Sequence, residues 1–234
     1  MTSQTIVIGI ILAVLVLGGA GYWYYVNDAS YAHQFIGGES ISNWDFQGAY
    51  EGNAELEEKA HNEIARLEGL IDNEEDDNTD YTVYISIANQ YDLLGDGENE
   101  YAYLKKALAI DPEHTGLAWH NLGALMERLG AFQTARDAYS RAVQAQNQIL
   151  QYQMAYLIFL TNHFPEDAPA IEGVLNEAKL VYGDNPTLFE IRARWLEETG
   201  KIQDAIDMWK KIRSLSPQAA PVIDSEIQRL QGLL

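Results

Sequence analysis

The first apolar block is the longest. Residues 5–26, TIVIGIILAVLVLGGAGYWYYV, carry no charged side chain, and as a helix rising 1.5 Å per residue they would reach roughly 33 Å. That length spans a hydrocarbon core. The block ends in Tyr22, Trp23, Tyr24 and Tyr25, with Asn27 and Asp28 immediately after, the composition of an interfacial aromatic belt followed by water-exposed chain. The pattern predicts a transmembrane anchor over residues 1–27. A cleaved signal peptide is the alternative, because Ile6 to Leu17 has the length of an apolar signal core and Gly18 and Ala20 are spaced like a cleavage site. Against it, MTSQ holds no Lys or Arg, and the apolar run continues past that point. The retained anchor is therefore the expectation.

Past the anchor the periodicity is lost and then regained. Residues 28–52 mix aromatics with Gly and Ser without a sustained period, which predicts a juxtamembrane connector. Its Tyr31, Phe35, Trp44 and Phe46 either graze lipid headgroups or pack on the following domain, and packing is the expectation. From Asn53, the residues Ala60, Ile64, Leu67 and Ile71 recur at i, i+4, i+7 and i+11, the stripe of one amphipathic helix. The acidic run DNEEDDNTD ends it, so residues 53–80 read as a helix plus linker. Asp72, Glu74, Asp76 and Asn78 alternate as in a calcium-binding loop. However, Asp77 stands where the sharp turn needs Gly, and Val83 where a bidentate Glu is needed. A solvated, self-repelling linker is the better reading.

From Tyr81 onward the chain repeats itself. Trp119, Leu122-Gly123, Met126, Gly130, Phe132, Ala135, Tyr139 and Ala142 form one unit. Tyr84, Ile87, Ala88, Tyr91, Gly95, Leu104, Ala107, Leu108 and Pro112 fit the same frame, as do Phe189, Ala193, Leu196, Gly200, Ile202, Ala205, Trp209, Ile212 and Pro217. The first departs from the frame at Gly97 and Glu100. Residues 148–185 form a degenerate copy, with helices expected at about Ile149–His163 and Ala168–Tyr182 and a turn lengthened by Pro165 and Pro169. Val222, Ile223, Ile227 and Leu230 suit one face of a terminal capping helix over 220–234.

This frame, Trp-x2-Leu-Gly-x2-large, a Gly turn, then Ala-x3-aromatic, resembles the tetratricopeptide repeat family over roughly two thirds of the chain. The resemblance implies an all-α protein: an N-terminal transmembrane helix followed by an α-α superhelix of helical hairpins. The repeats would occupy 81–219, divided as 81–115, 116–147, 148–185 and 186–219. The residue types suit packing rather than chemistry. Gly123, Ala88, Ala193, Ala135 and Ala205 let helices approach; Trp119, Tyr139, Tyr84, Phe189 and Trp209 fill the gaps. Gly130, Gly95 and Gly200 end the first helix of each pair.

A tetratricopeptide superhelix has a concave face that binds an extended peptide or a helix. The resemblance places Thr82, Ile85, Asn89, Leu93, His120, Asn121, Glu127, Arg128, Tyr152 and Tyr156 on it, a groove of mixed apolar, amide and aromatic character. Some family members grip the C-terminal carboxylate of chaperone tails with Lys, Arg and Asn. Asn89 and Asn121 match asparagine positions of that clamp. Ile85 stands where its first lysine would be, and no Lys or Arg occurs between Arg141 and Lys179. A carboxylate brought to this surface would find little to pair with.

Charge and composition narrow the function further. Thirty-five acids face 15 bases, and residues 28–80 hold 15 acids against Lys59 and Arg66 alone. That excludes binding a nucleic acid by charge neutralisation. Cysteine is absent, which removes disulfides and thiolate chemistry. His33, His61, His114, His120 and His163 lack metal-ligand spacing, and no nucleophile elbow or phosphate-binding Gly loop is present. No cofactor, metal or catalytic residue is expected, and an enzyme is not. Because the first basic residue is Lys59, charge barely orients the anchor; the expectation is a single-pass protein with its C-terminal part extracytoplasmic. The reading is a membrane-anchored scaffold or adaptor that binds a peptide or helix of a protein partner in a membrane or envelope complex. The alternative is a periplasmic or secreted adaptor or assembly factor released by signal cleavage.

Overall fold

A computed structural model of the protein describes residues 35–73 and 79–234. Among the described residues there are ten α-helices and no strand, beyond an isolated bridge between Asp45 and Asp96. The fold is all-α and repeat-like, with helices packed on neighbours within each unit. No helix among the described residues is long and apolar enough to cross a membrane. The predicted span over 5–26, Tyr31 and His33, and the linker residues 74–78 lie outside the described residues. The described residues divide into two compact units, one before and one after the Pro112–Glu113 boundary.

The first unit contains α1 (Ala54–Glu68), α2 (Asp80–Leu94) and α3 (Gly97–Ile110). Asn53 starts α1 by accepting the Leu56 N–H at 3.3 Å, while Glu57 accepts the Gly52 N–H at 2.8 Å. The first bond satisfies a donor that a helix start otherwise leaves open, and the second fixes the chain entering it. Ala60, Ile64 and Leu67 form the buried face of α1; Ile71 falls beyond its end. Tyr103 of α3 donates to Glu68 at 2.5 Å, tying the outer helices of this unit across α2.

The connector is built onto this unit by its backbone. Phe46 N–H donates to the Gly95 carbonyl (3.1 Å), Tyr50 N–H to that of Leu93 (2.9 Å), and Gly97 N–H to that of Trp44 (3.1 Å). Gly48 and Gly95 permit the approach: a Cβ on either would collide with backbone of the other segment. Trp44 then stacks on Tyr101 at 5.0 Å, with Phe35 at 6.2 and 6.1 Å from those two rings. Phe35 and Trp44 thus pack on the domain, as expected, while Phe46 contributes its main chain.

The second unit contains α4 (Gly116–Arg128), α5 (Phe132–Ala145), α6 (Leu150–His163), α7 (Ala168–Tyr182), α8 (Pro186–Glu198), α9 (Ile202–Leu215) and α10 (Ala220–Gln231). Helices α4–α5, α6–α7 and α8–α9 are hairpins, α6 also meets α8, and α10 closes on α9. Three hairpin turns, α2–α3 in the first unit and α4–α5 and α8–α9 in the second, share one bonding scheme. Asp96, Ala131 and Lys201 N–H reach back to Tyr91, Met126 and Leu196, with Gly95, Gly130 and Gly200 N–H bonding Asp92, Glu127 and Glu197. Those glycines sit at φ +81, +80 and +76, the left-handed stop that satisfies terminal carbonyls. The α6–α7 turn differs: Asp167 accepts the Ala170 N–H at 3.2 Å, and Trp195 of α8 donates its indole N–H to Pro165 O at 2.8 Å.

Ala88, Ala135, Ala193 and Ala205 are fully buried, and Trp119, Tyr139, Phe189 and Trp209 nearly so. Tyr84 is half-buried. On α10, Ile223 and Leu230 are buried, but Val222 is 70% exposed and Ile227 half-buried. The buried stripe is 223, 227 and 230 at i, i+4 and i+7; Val222 lies about 100° round the helix from it.

Candidate functional site

The sequence-predicted groove residues divide between the two units. In the first, Thr82 and Asn89 are exposed on α2 and Leu93 is half-buried, whereas Ile85 is only 5% exposed. Ile85 is core. Thr82 serves the start of α2, donating its hydroxyl to Thr79 O at 2.7 Å while Thr79 Oγ1 accepts its N–H at 3.4 Å. Thr82 and Asn89 also line a cleft of about 300 Å³ between α1 and α2, with Glu63, Arg66, Leu67 and Ser86 among its walls. The Arg66 guanidinium spans both carboxylate oxygens of Glu63 at 2.8 and 2.6 Å and holds that carboxyl below its ordinary range. The cleft is thus hydroxyl- and amide-lined with an apolar floor.

In the second unit two of the predicted residues, His120 and Glu127, meet at Tyr139, which the prediction did not include. His120 lies 5.8 Å from the Tyr139 ring and 5.1 Å from the Tyr152 ring. Burial keeps its imidazole below the usual histidine range, so it is neutral at physiological pH. Tyr139 donates its hydroxyl to Glu127 at 2.8 Å, and His163 Nε2 lies 2.9 Å from the other oxygen of that carboxylate. Phe132 stacks on His163 at 4.3 Å. Burial first, and then the bond to Glu127, raise Tyr139 far above an ordinary tyrosine; its hydroxyl remains a donor. Asn121 is half-buried and Arg128 exposed.

Tyr152 and Tyr156 are both buried, so neither opens a broad aromatic face. Tyr152 is packed against Gly116, where a Cβ would meet its ring at 2.5 Å. Tyr156 looks toward the α5–α7 side, where it lines a cleft of about 200 Å³ with Val143, Gly173 and Val174. Arg136 of α5 pairs with Asp167, at the start of α7, at 2.6 Å.

Sequence reasoning missed the partners of Glu127. Tyr139 is visible only as a gap-filler, and His163 stands 36 residues from Glu127 in the degenerate copy. No local signal links the two, since the pairing of Glu127 with His163 is made only by the packing of α4 against the following hairpin. What the arrangement offers chemically is recognition: exposed hydroxyl, amide and guanidinium groups on a framework whose large residues are used in packing. No family model matches the chain, and no curated protein matches it. The class that the fold defines is therefore an all-α array of repeat-like helical hairpins.

Proposed function

We propose that the protein is a membrane-tethered binding scaffold whose hairpins are tetratricopeptide-like units and whose partner is a peptide or helix of another protein. The observation that carries the reading is the shared construction of three hairpin turns, each with a left-handed glycine at the position the family's frame assigns. Gly123 under Tyr139 adds the close helix approach that the frame's small residue serves. Such a framework spends its conspicuous residues on holding helices together. Recognition then falls to the exposed Thr82 and Asn89 in the first unit, and to the half-buried Asn121 and exposed Arg128 in the second.

The tether is residues 5–26, and the helical part lies on the extracytoplasmic side. The partner sits in a membrane or envelope complex, with apolar anchors and some positive charge to suit an acidic protein. The test is co-purification of the tagged full-length protein from solubilised membranes, comparing wild type with Asn89→Arg and Arg128→Glu. Both substitutions are at exposed positions, and circular dichroism is used to verify that each variant keeps the fold. A partner retained by wild type and lost from either variant supports the reading. A partner set unchanged in both variants overturns it. Extraction of the protein by a carbonate wash overturns the tether separately.

A further inference from the structure

The connector and α3 together build an aromatic surface that neither the repeat packing nor the proposed partner face uses. Trp44 lies on Tyr101, Phe35 flanks both rings, and the Lys105 ammonium sits 4.6 Å over the outer tyrosine. None of the three rings is fully buried, and Ile36 beside them is 40% exposed. The three backbone bonds from residues 44–50 to the α2–α3 turn hold this cluster in place.

We infer that this cluster, Phe35, Ile36, Trp44, Tyr101 and Lys105, is a lipid-docking platform that seats the first unit on the interface of the bilayer holding the N-terminal anchor. The inference rests on the proposed tether. Eight residues separate Val26 from Phe35, a reach of at most about 30 Å, so the platform is leashed within one bilayer thickness of the headgroups. Trp, Tyr and Lys stems are the side chains that favour that zone, each with an apolar body and a polar tip.

Charge sets which lipid is suited. Residues 35–112 hold nineteen acids against four bases, and Glu39, Asp45, Asp96 and Glu98 stand close to the platform in sequence. Anionic headgroups would repel this unit. The platform fits a zwitterionic surface, entered by aromatic and aliphatic burial rather than by counter-charge, and its docking is insensitive to salt.

The absence of native cysteine makes the test direct. Full-length protein carrying a single cysteine at Ile36→Cys, Glu98→Cys or Lys59→Cys is labelled with an environment-sensitive fluorophore and reconstituted into phosphatidylcholine vesicles containing a shallow nitroxide-lipid quencher. Glu98 precedes Tyr101 by one turn on α3 and is remote in sequence from the anchor, so proximity along the chain cannot explain its quenching. Labels at 36 and 98 should be quenched at least about twice as strongly as the label at 59, as for groups seated roughly 5–10 Å into the headgroup boundary. Replacing a third of the lipid by phosphatidylserine should reduce that difference. If the protein floats with the vesicles but the label at 98 matches that at 59, the platform is overturned while the tether stands. If the protein does not float, both are overturned.

Discussion

Gly123 lies against the ring of Tyr139, so near that a Cβ on the glycine would stand 2.7 Å from a ring carbon. The ring cannot swing aside, because it is buried and its hydroxyl is held by Glu127. Gly123→Ala gains about 1 kcal/mol of helix propensity and meets an overpacking cost of roughly 1–3 kcal/mol. The expected outcome is net destabilisation, read as a lower denaturation midpoint with unchanged m-value. An equal or higher midpoint would show that the α4–α5 hairpin has slack at this contact.

Tyr139 also gives the second unit an alkaline limit. Its folded-state pKa is raised above the ordinary 10.0 by burial and by the Glu127 carboxylate, so its contribution is complete below pH 10 and is lost as pH rises beyond it. Tyr139→Phe should cost about 1 kcal/mol at pH 7, since a hydrogen bond to a part-exposed carboxylate is removed. The gap between the two proteins should then narrow above pH 10. Thermal melts at pH 7, 9, 10 and 11 check this; a gap that stays constant refutes it.

Asp167 has two separable jobs. It accepts the Ala170 N–H at the start of α7 and pairs with Arg136, and its pKa is lowered by Arg136 first and by the backbone bond second. Asp167→Asn keeps a good cap and discards the charge, whereas Asp167→Ala loses both. The alanine variant should lose about 1 kcal/mol and the asparagine variant distinctly less, because part-exposed ion pairs contribute little. Wild type and Asp167→Asn should converge as pH falls through and below the ordinary 3.8. Urea titrations at pH 7 and 3 give the comparison.

Two left-handed glycines should respond differently to the same change. Gly130 at φ +80 has open space where a Cβ would go, while at Gly95, φ +81, the added atom would run into the Phe46 carbonyl. Gly130→Ala carries backbone strain alone, about 1–2 kcal/mol. Gly95→Ala adds ejection of the connector, so amide exchange at Phe46, Tyr50 and Gly97 should accelerate in that variant and not in Gly130→Ala. Hydrogen-exchange mass spectrometry of the full-length protein measures it.

These contrasts mark how far the sequence could be read. Helix positions and the glycine turns follow from local rules, since apolar spacing and a left-handed stop are both written within a few residues of where they act. Ile85 illustrates a limit: one position of a helix stripe separates a groove wall from the core, and only the packed neighbours decide which it is. Phe46 illustrates another. The connector joins the domain through main-chain bonds, which any residue can make, so nothing in its side chains announces the partner. Glu127 meets Tyr139 and His163 across helix boundaries, and no periodicity links residues so far apart. The span over 5–26 is an expectation of composition alone and lies outside the described residues.

The indole of Trp195 changes how the second unit comes apart. The α6–α7 turn is closed by its own backbone, Phe164 N–H bonding Leu160 O and Asp167 N–H bonding Phe164 O, and in addition takes a donor from α8. In a linear array, neighbours normally fray one at a time from the end. Here the loss of α8 strips Pro165 O of its partner, so fraying that begins at the C-terminus runs on into the degenerate hairpin in the same step. The irregular repeat is thereby tied to its successor, and the last four hairpin helices are expected to lose structure more nearly together than as two separate pairs.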